Sequence, residues 1–134
     1  MIGRLEVITH EPLLILDGAH NVPAMKSLVA TIQRAFRDRE VYLVIGMMAD
    51  KDIQQVEQLL RKTPWHVYWT TVAHNPRAAT QAQLKQQIGY TFRYYPMWQE
   101  ALQVALQESG GDGLYLFAGS FYLISDVRHF LLDR

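Results

Sequence analysis

The sequence predicts an α/β fold: a mainly parallel, six-stranded sheet with helices on both faces and one antiparallel strand at an edge. Three features lead there. Short apolar runs alternate five times with stretches of helical period, the order expected of repeated strand–helix units. The runs are almost continuously apolar rather than alternating, as strands buried on both faces require. A further β-rich stretch, Leu5–Thr9, is separated from the next run by only His10 and Glu11, too little chain for a crossover, so those two strands pair antiparallel.

Each element follows from where a run starts and stops. Pro12–Leu16 is a strand ended by Asp17-Gly18, and Met25, Leu28, Val29, Ile32 and Phe36 then recur at helical spacing. Val41–Ile45 stops at Gly46; Ile53, Val56, Leu59 and Leu60 form the next helical stripe, with Asp50 or Asp52 as N-cap. His66–Thr71 is a β-rich run that leads to a Gln-rich helix over Ala78–Ile88. Thr91–Tyr95 is a short strand, and the helix after it carries Trp98, Ala101, Leu102, Ala105 and Leu106 on one face. Beyond the loop Gly110-Gly111-Asp112-Gly113, Leu114–Ala118 is the last buried strand; Gly119-Ser120 ends it, and Phe121, Ile124, Val127 and Leu131 mark a closing helix. No repeat, low-complexity tract or linker divides the chain, so residues 1–134 form one domain.

Composition narrows the function classes. The 13 Lys and Arg balance 13 Asp and Glu, which leaves no net field to gather nucleic acid or an anionic membrane, and neither is an expected partner. The longest apolar run, Val41–Ala49, falls well short of the ~20 residues that span a bilayer, and Glu6 and His10 interrupt any N-terminal export signal. With no cysteine there is no disulfide framework or thiolate metal site, and a cytoplasmic location is the expectation. Trp65, Tyr68, Trp69, Tyr94, Tyr95 and Trp98 lack clustered Lys and Arg beside them, so they read as core and strand residues rather than base-stacking ones.

In an open α/β sheet, ligands gather outside the carboxyl ends of the strands, which directs attention to the loops that follow them. Asp17-Gly18-Ala19-His20-Asn21 sets a carboxylate, an imidazole and an amide before a helix N-terminus, whose unpaired N–H groups favour an anion. Either Asp17 or Asn21 merely caps that helix, or the cluster is a site. Lys51, between Asp50 and Asp52, is a partner for phosphate or carboxylate, or part of a solvated turn. The Ser120 hydroxyl bonds a ligand or caps the closing helix. Arg77, in His74-Asn75-Pro76-Arg77, grips a carboxylate bidentately or faces water. The chain has no Gly-x-x-x-x-Gly-Lys-Ser/Thr loop, no Gly-x-Gly-x-x-Gly fingerprint, no Gly-x-Ser-x-Gly elbow and no His-x-x-x-His pair. It therefore lacks a nucleotide cradle of its own.

Taken in order, Gly3-Arg4-Leu5-Glu6-Val7, Asp17-Gly18-Ala19-His20-Asn21, Asp50-Lys51-Asp52, Asn75-Pro76-Arg77-Ala78 and Gly119-Ser120-Phe121-Tyr122-Leu123 resemble the C-terminal domain of folylpolyglutamate synthase/dihydrofolate synthase, in the Mur ligase superfamily. These motifs span nearly the whole chain. Val22 stands where many members have proline, which here follows at Pro23. The resemblance implies a Rossmann-like fold and an ATP-dependent amide ligase. In that family ATP phosphorylates a pteroate or folate carboxylate, the amine of L-glutamate attacks the acyl phosphate, and phosphate leaves. The P-loop, the Mg2+ ligands and most of the folate site are implied to lie in an N-terminal ATPase domain, this domain's partner, which is absent from the chain. The chain itself would close over ATP and help bind glutamate.

Carried over by motif, Arg4 resembles a residue that reaches ATP phosphate, and Asp17 one that reaches the nucleotide. His20 and Ser120 resemble catalytic residues near the glutamate and the reacting phosphate, and Lys51 and Arg77 match positions suited to glutamate carboxylates. No metal ligand is expected among them. As a fragment that begins near a domain linker, the chain is expected to be inactive alone. Three other readings stay open on sequence: another Mur-type ligase, acting on peptidoglycan precursors or cyanophycin; a stand-alone Rossmann-like module that binds a nucleotide or an amino acid without chemistry; or an interaction domain whose sheet supports a partner surface, which the polar loops at the strand ends disfavour.

Overall fold

One sheet with an apolar layer on each face organises the chain in the computed structural model, which describes residues 3–133. The strands are β1 (Glu6–His10), β2 (Leu13–Leu16), β3 (Val41–Ile45), β4 (His66–Thr70), β5 (Tyr94–Tyr95) and β6 (Leu114–Ala118). The helices are α1 (Val22–Ala35), α2 (Ile53–Arg61), α3 (Gln81–Ile88), α4 (Trp98–Ser109) and α5 (Phe121–Leu132). The sheet order is β1-β2-β6-β3-β4-β5, with β1 antiparallel to β2 and every other pair parallel. The expected α/β architecture and its antiparallel edge are therefore present.

Burial explains the order. Every residue of β2, β3 and β6 is buried, so these three continuous apolar runs take central places, while the half-exposed β1 and the two-residue β5 form the edges. Helices α1, α2 and α3 cover one face with Met25, Ile32, Ile53, Val56 and Leu84; α4 and α5 cover the other with Trp98, Ala101, Ala105, Ile124 and Val127. Asn21 caps α1 by accepting from the Ala24 N–H at 2.9 Å, and Asp52 rather than Asp50 caps α2 through the Gln55 N–H at 3.1 Å.

Beyond one-residue shifts at strand ends, two boundaries and the exposure of one side chain differ from the sequence expectation. Helix α3 begins at Gln81 instead of Ala78, because Ala78 bridges Met48 and the Ala79 N–H donates to the Met47 carbonyl at 2.9 Å; Thr80 then opens the helix in a capping box with Gln83. The strand expected over Thr91–Tyr95 shrinks to Tyr94–Tyr95, since only Trp69 and Thr70, the last residues of β4, pair with it. Helix α5 buries Leu123, Ile124 and Val127; Phe121, expected on its apolar stripe, is instead 55% exposed.

Two carboxylates reach the layers on either side of the sheet and are fully engaged there. Glu57 of α2, 5% exposed, accepts from Trp69 Nε1 at 3.0 Å and from the Tyr90 hydroxyl at 3.1 Å. Glu108 of α4 accepts from the Tyr68 hydroxyl at 2.6 Å and from both terminal nitrogens of Arg93 at 2.7 and 2.8 Å. Hydrogen bonds from Arg93, and then Tyr68, hold the Glu108 carboxyl down at about 2.

The winding sets the place for a site. From β2 the chain steps outward to β3, β4 and β5 with its connecting helices on one face; α4 then returns across the other face so that β6 inserts between β2 and β3. The loop leaving β6 consequently heads to the opposite face from the loops leaving β2 and β3. Such divergence opens a crevice on each side of β6 at the carboxyl ends of the strands.

Candidate functional site

Both crevices are present, and they share a wall. A cavity of about 320 Å3 lies on the β2 side of β6, where Arg4, Asp17 and His20 meet Ser27 and Thr31 of α1 and the ring of Phe121. A second, of about 190 Å3, lies on the β3 side between His20, Asp50, Lys51, Arg77, Ser120 and Tyr122. His20 and Phe121 border both, their rings tilted by 54° with centroids 5.4 Å apart. Larger clefts of 410 Å3 beside Phe36–Val41 and 490 Å3 beside Tyr90–Tyr94 contain none of the six residues named from the sequence.

Close backbone contact between the strand ends lets the loops assemble. The Gly119 N–H donates to the Ala19 carbonyl at 2.8 Å, and the Gly46 N–H to the Ala118 carbonyl at 3.3 Å, so the loop after β6 is gripped from both sides. A Cβ at Gly119, where φ is +109°, would lie 2.5 Å from the Gly46 carbonyl oxygen; only glycine fits. A Cβ at Gly18 would lie 2.2 Å from Phe121 Cε1, so the ring rests directly on the Asp17-Gly18 turn.

Asp17 does not cap α1. Its backbone N–H donates to the Phe117 carbonyl at 3.0 Å, while Oδ1 accepts from the Ala19 N–H at 2.9 Å and Oδ2 from the Leu5 N–H at 3.1 Å. The carboxylate thus folds its own loop and pins the segment Gly3–Leu5, which the Gly18 N–H also holds through the Gly3 carbonyl at 2.7 Å. Both oxygens keep lone pairs for a further donor. Arg4, between Gly3 and Leu5, is exposed at the mouth of the first cavity.

His20 Nδ1 lies 2.9 Å from the Gly18 carbonyl. A carbonyl only accepts, so Nδ1 carries the proton and, in the neutral ring, Nε2 is left with a free lone pair. Ser120 is buried, and its Oγ accepts from the Tyr122 N–H at 3.0 Å as the N-cap of α5; its own O–H remains a donor. Across the second cavity Arg77 Nη2 donates to the Tyr122 hydroxyl at 3.3 Å. Among the described residues Arg4, Lys51 and Arg77 form no ion pair, which leaves three cationic heads for anionic groups. Also among the described residues, no cluster of three or more His, Asp or Glu side chains is placed to hold a metal ion, and no helix is long and apolar enough to cross a membrane.

The family of the Mur ligase glutamate ligase domain matches residues 3–121. This chain belongs to it. The Mur ligase domain is 34% identical over 134 residues to the folylpolyglutamate synthase of Lacticaseibacillus casei, an alignment that covers 97% of this chain and 29% of that one. Among solved structures, it superposes with a TM-score of 0.82 at 30% identity on the bifunctional folylpolyglutamate synthase/dihydrofolate synthase of Yersinia pestis in complex with AMPPNP and Mn, covering 98% of this chain and 31% of that one. A structure of such a bifunctional synthase with Mn, AMPPNP and L-glutamate bound is similar too, with a TM-score of 0.76, 30% identity and coverage of 98% and 32%. The chain thus spans about 30% of the length of the relatives it matches.

The structure unites all six residues singled out from the sequence around two adjoining cavities. Sequence reasoning missed Phe121 and Tyr122 as lining residues. Helical spacing placed Phe121 in an apolar stripe, and its position directly after the N-cap gives no signal against that, since Ile53 and Trp98 hold the same position in α2 and α4 and are buried.

Proposed function

We propose that this Mur ligase domain is the C-terminal part of the catalytic site of an ATP-dependent amide ligase, one that joins L-glutamate to dihydropteroate or a folate. The observation that carries the reading is the wall shared by the two cavities. One cavity offers Arg4 and the Asp17 turn, the other Lys51, Arg77 and Ser120, and His20 stands between them. A reaction that joins a phosphorylated acid to an amino acid needs two such sites meeting at one point.

ATP, when bound, supplies the phosphoryl group that activates the acceptor carboxylate. In this reading the Arg4 guanidinium, a planar fork of fixed charge, holds phosphate oxygens. Asp17 takes a hydrogen bond from the nucleotide while keeping the Arg4 segment in place. Lys51 and Arg77 hold the two glutamate carboxylates, Arg77 steadied by the Tyr122 hydroxyl. His20 accepts a proton of the glutamate amine through Nε2, and the Ser120 hydroxyl donates toward the reacting centre. The similarity to synthase structures containing AMPPNP, Mn and L-glutamate supports this assignment of ligand classes.

Residues 1–134 then form a single domain, preceded in the native protein by an ATPase domain that carries the phosphate loop, the Mg2+ ligands and most of the folate site, in a cytoplasmic enzyme. The domain alone is inactive because half of the site is elsewhere. The test compares variants of the intact enzyme. Arg4→Ala and Asp17→Ala raise KM for ATP, whereas Lys51→Ala and Arg77→Ala raise KM for glutamate; if neither pair changes its own KM or kcat, the assignment fails. Competition by other amino acids and by peptidoglycan precursors distinguishes a different Mur-type ligase.

A further inference from the structure

We propose that the ion pair between Glu6 and Arg128 is a latch that sets the strap Gly3–Leu5 over the 320 Å3 cavity, which makes both of its members positioning residues for Arg4. The strap is shaped against its own preference. Gly3 and Leu5 lie in the left-handed region with φ of 77° and 47°, and for Leu5 this crowds Cβ against the backbone, so the conformation persists only where neighbours hold it. Three anchors do so. The Gly18 N–H holds the Gly3 carbonyl, Asp17 Oδ2 holds the Leu5 N–H, and Glu6 closes the turn by accepting from the Gly3 N–H at 3.3 Å.

The third anchor depends on a residue far away in sequence. Arg128 donates to Glu6 Oε1 from Nη2 at 2.7 Å and from Nε at 3.0 Å, and Nε also reaches Oε2 at 3.3 Å. The side chains are 23% and 20% exposed, so solvent screens the pair only partly. Arg128 lines neither cavity, yet it belongs to α5, whose first residue, Phe121, packs on both Gly3 and Gly18 and walls both cavities. The pair therefore ties the direction of the strap to the helix that carries Ser120, Phe121 and Tyr122. The enzymatic consequence rests on the phosphate-binding reading of Arg4; the mechanical one does not.

The experiment uses trypsin on the 134-residue chain, with Arg4 as the reporter bond and Lys26, inside α1, as the control for general opening. Arg128→Met is expected to speed cleavage after Arg4 about tenfold, as loss of a charge-assisted contact implies, with cleavage after Lys26 unchanged and Arg128→Lys restoring much of the protection. Glu6→Gln, which keeps the shape and one acceptor, gives the same reading should the methionine variant fold poorly. In the intact enzyme the same variants raise KM for ATP and leave KM for glutamate unaltered. Unchanged cleavage after Arg4 in both Arg128→Met and Glu6→Gln overturns the latch. Faster cleavage with unaltered KM for ATP upholds the latch and overturns the phosphate role of Arg4.

Discussion

Replacing Gly119 with alanine tests the claim that the ends of β3 and β6 approach so closely that only glycine fits between the loops that line the two cavities. An added Cβ would sit 2.5 Å from the Gly46 carbonyl oxygen, 2.8 Å from Ile45 Cγ1 and 3.1 Å from the Gly46 carbonyl carbon. The first and third are backbone atoms, so relief requires moving the end of β3, where the Gly46 N–H to Ala118 carbonyl bond is already long at 3.3 Å. Forcing a side chain onto φ of +109° costs ~1–3 kcal/mol, and the crowding adds ~1–3 kcal/mol. The total, about 2–6 kcal/mol, is a large share of the ~5–15 kcal/mol that holds a domain folded. Gly110→Ala is the control: its φ is also positive, at 69°, but nothing lies within 4 Å, so it carries strain without crowding. Urea unfolding followed by circular dichroism reads both differences. If Gly119→Ala loses no more stability than Gly110→Ala, the close approach of the strand ends is not what demands glycine.

Other perturbations have distinct signatures. Gly18→Ala displaces the Phe121 ring, a half-exposed side chain rather than backbone, so its effect on urea stability should stay below ~1.5 kcal/mol; in the intact enzyme it should still raise KM for both ATP and glutamate, because the wall that both cavities share moves. Glu57→Leu strands the fully buried Trp69 indole N–H and the half-buried Tyr90 hydroxyl, at a cost of about 2–3 kcal/mol by urea unfolding, with Glu57→Gln costing less. Lowering the pH should reveal the Arg93–Glu108 pair. The Glu108 carboxyl titrates at about 2 when folded and near 4.5 otherwise, so its contribution is present above pH 4.5 and is lost as the pH falls toward 2. Glu6, also held below its ordinary value by the Arg128 hydrogen bond, acts with the same sign. Melting temperature measured across that window should fall less steeply for Glu108→Gln than for the unmodified chain.

The strands were legible because burial on both faces leaves little freedom: Val41–Ile45 and Leu114–Ala118 are apolar at every position, and at five residues each, bounded by Gly46, Gly113 and Gly119, they are too short for a helix. Asn21, Asp52 and Ser120 were legible as caps for the same local reason. What the sequence hid depends on contacts between distant segments. The late start of α3 follows from Met47 and Met48 bonding to Ala78 and Ala79, a pairing that no local pattern records. Asp17 gave the same ambiguity. Its residue type fits a cap, and only the arrival of Leu5 and Ala19 at its two oxygens shows that it organises a loop and a strap instead. The shared wall of the site was likewise invisible, since helical periodicity assigns Phe121 to the core while the β6–α5 turn directs it over Gly18.

The central claim is tested most directly by incubating the intact enzyme with ATP, Mg2+, dihydropteroate or a folate, and labelled L-glutamate, and following label incorporation together with ADP release. The account predicts that one labelled amide forms for each ADP released and that release stops when glutamate is withheld. ADP release that proceeds unchanged without glutamate, or no incorporation into any pteroate or folate acceptor, would contradict it.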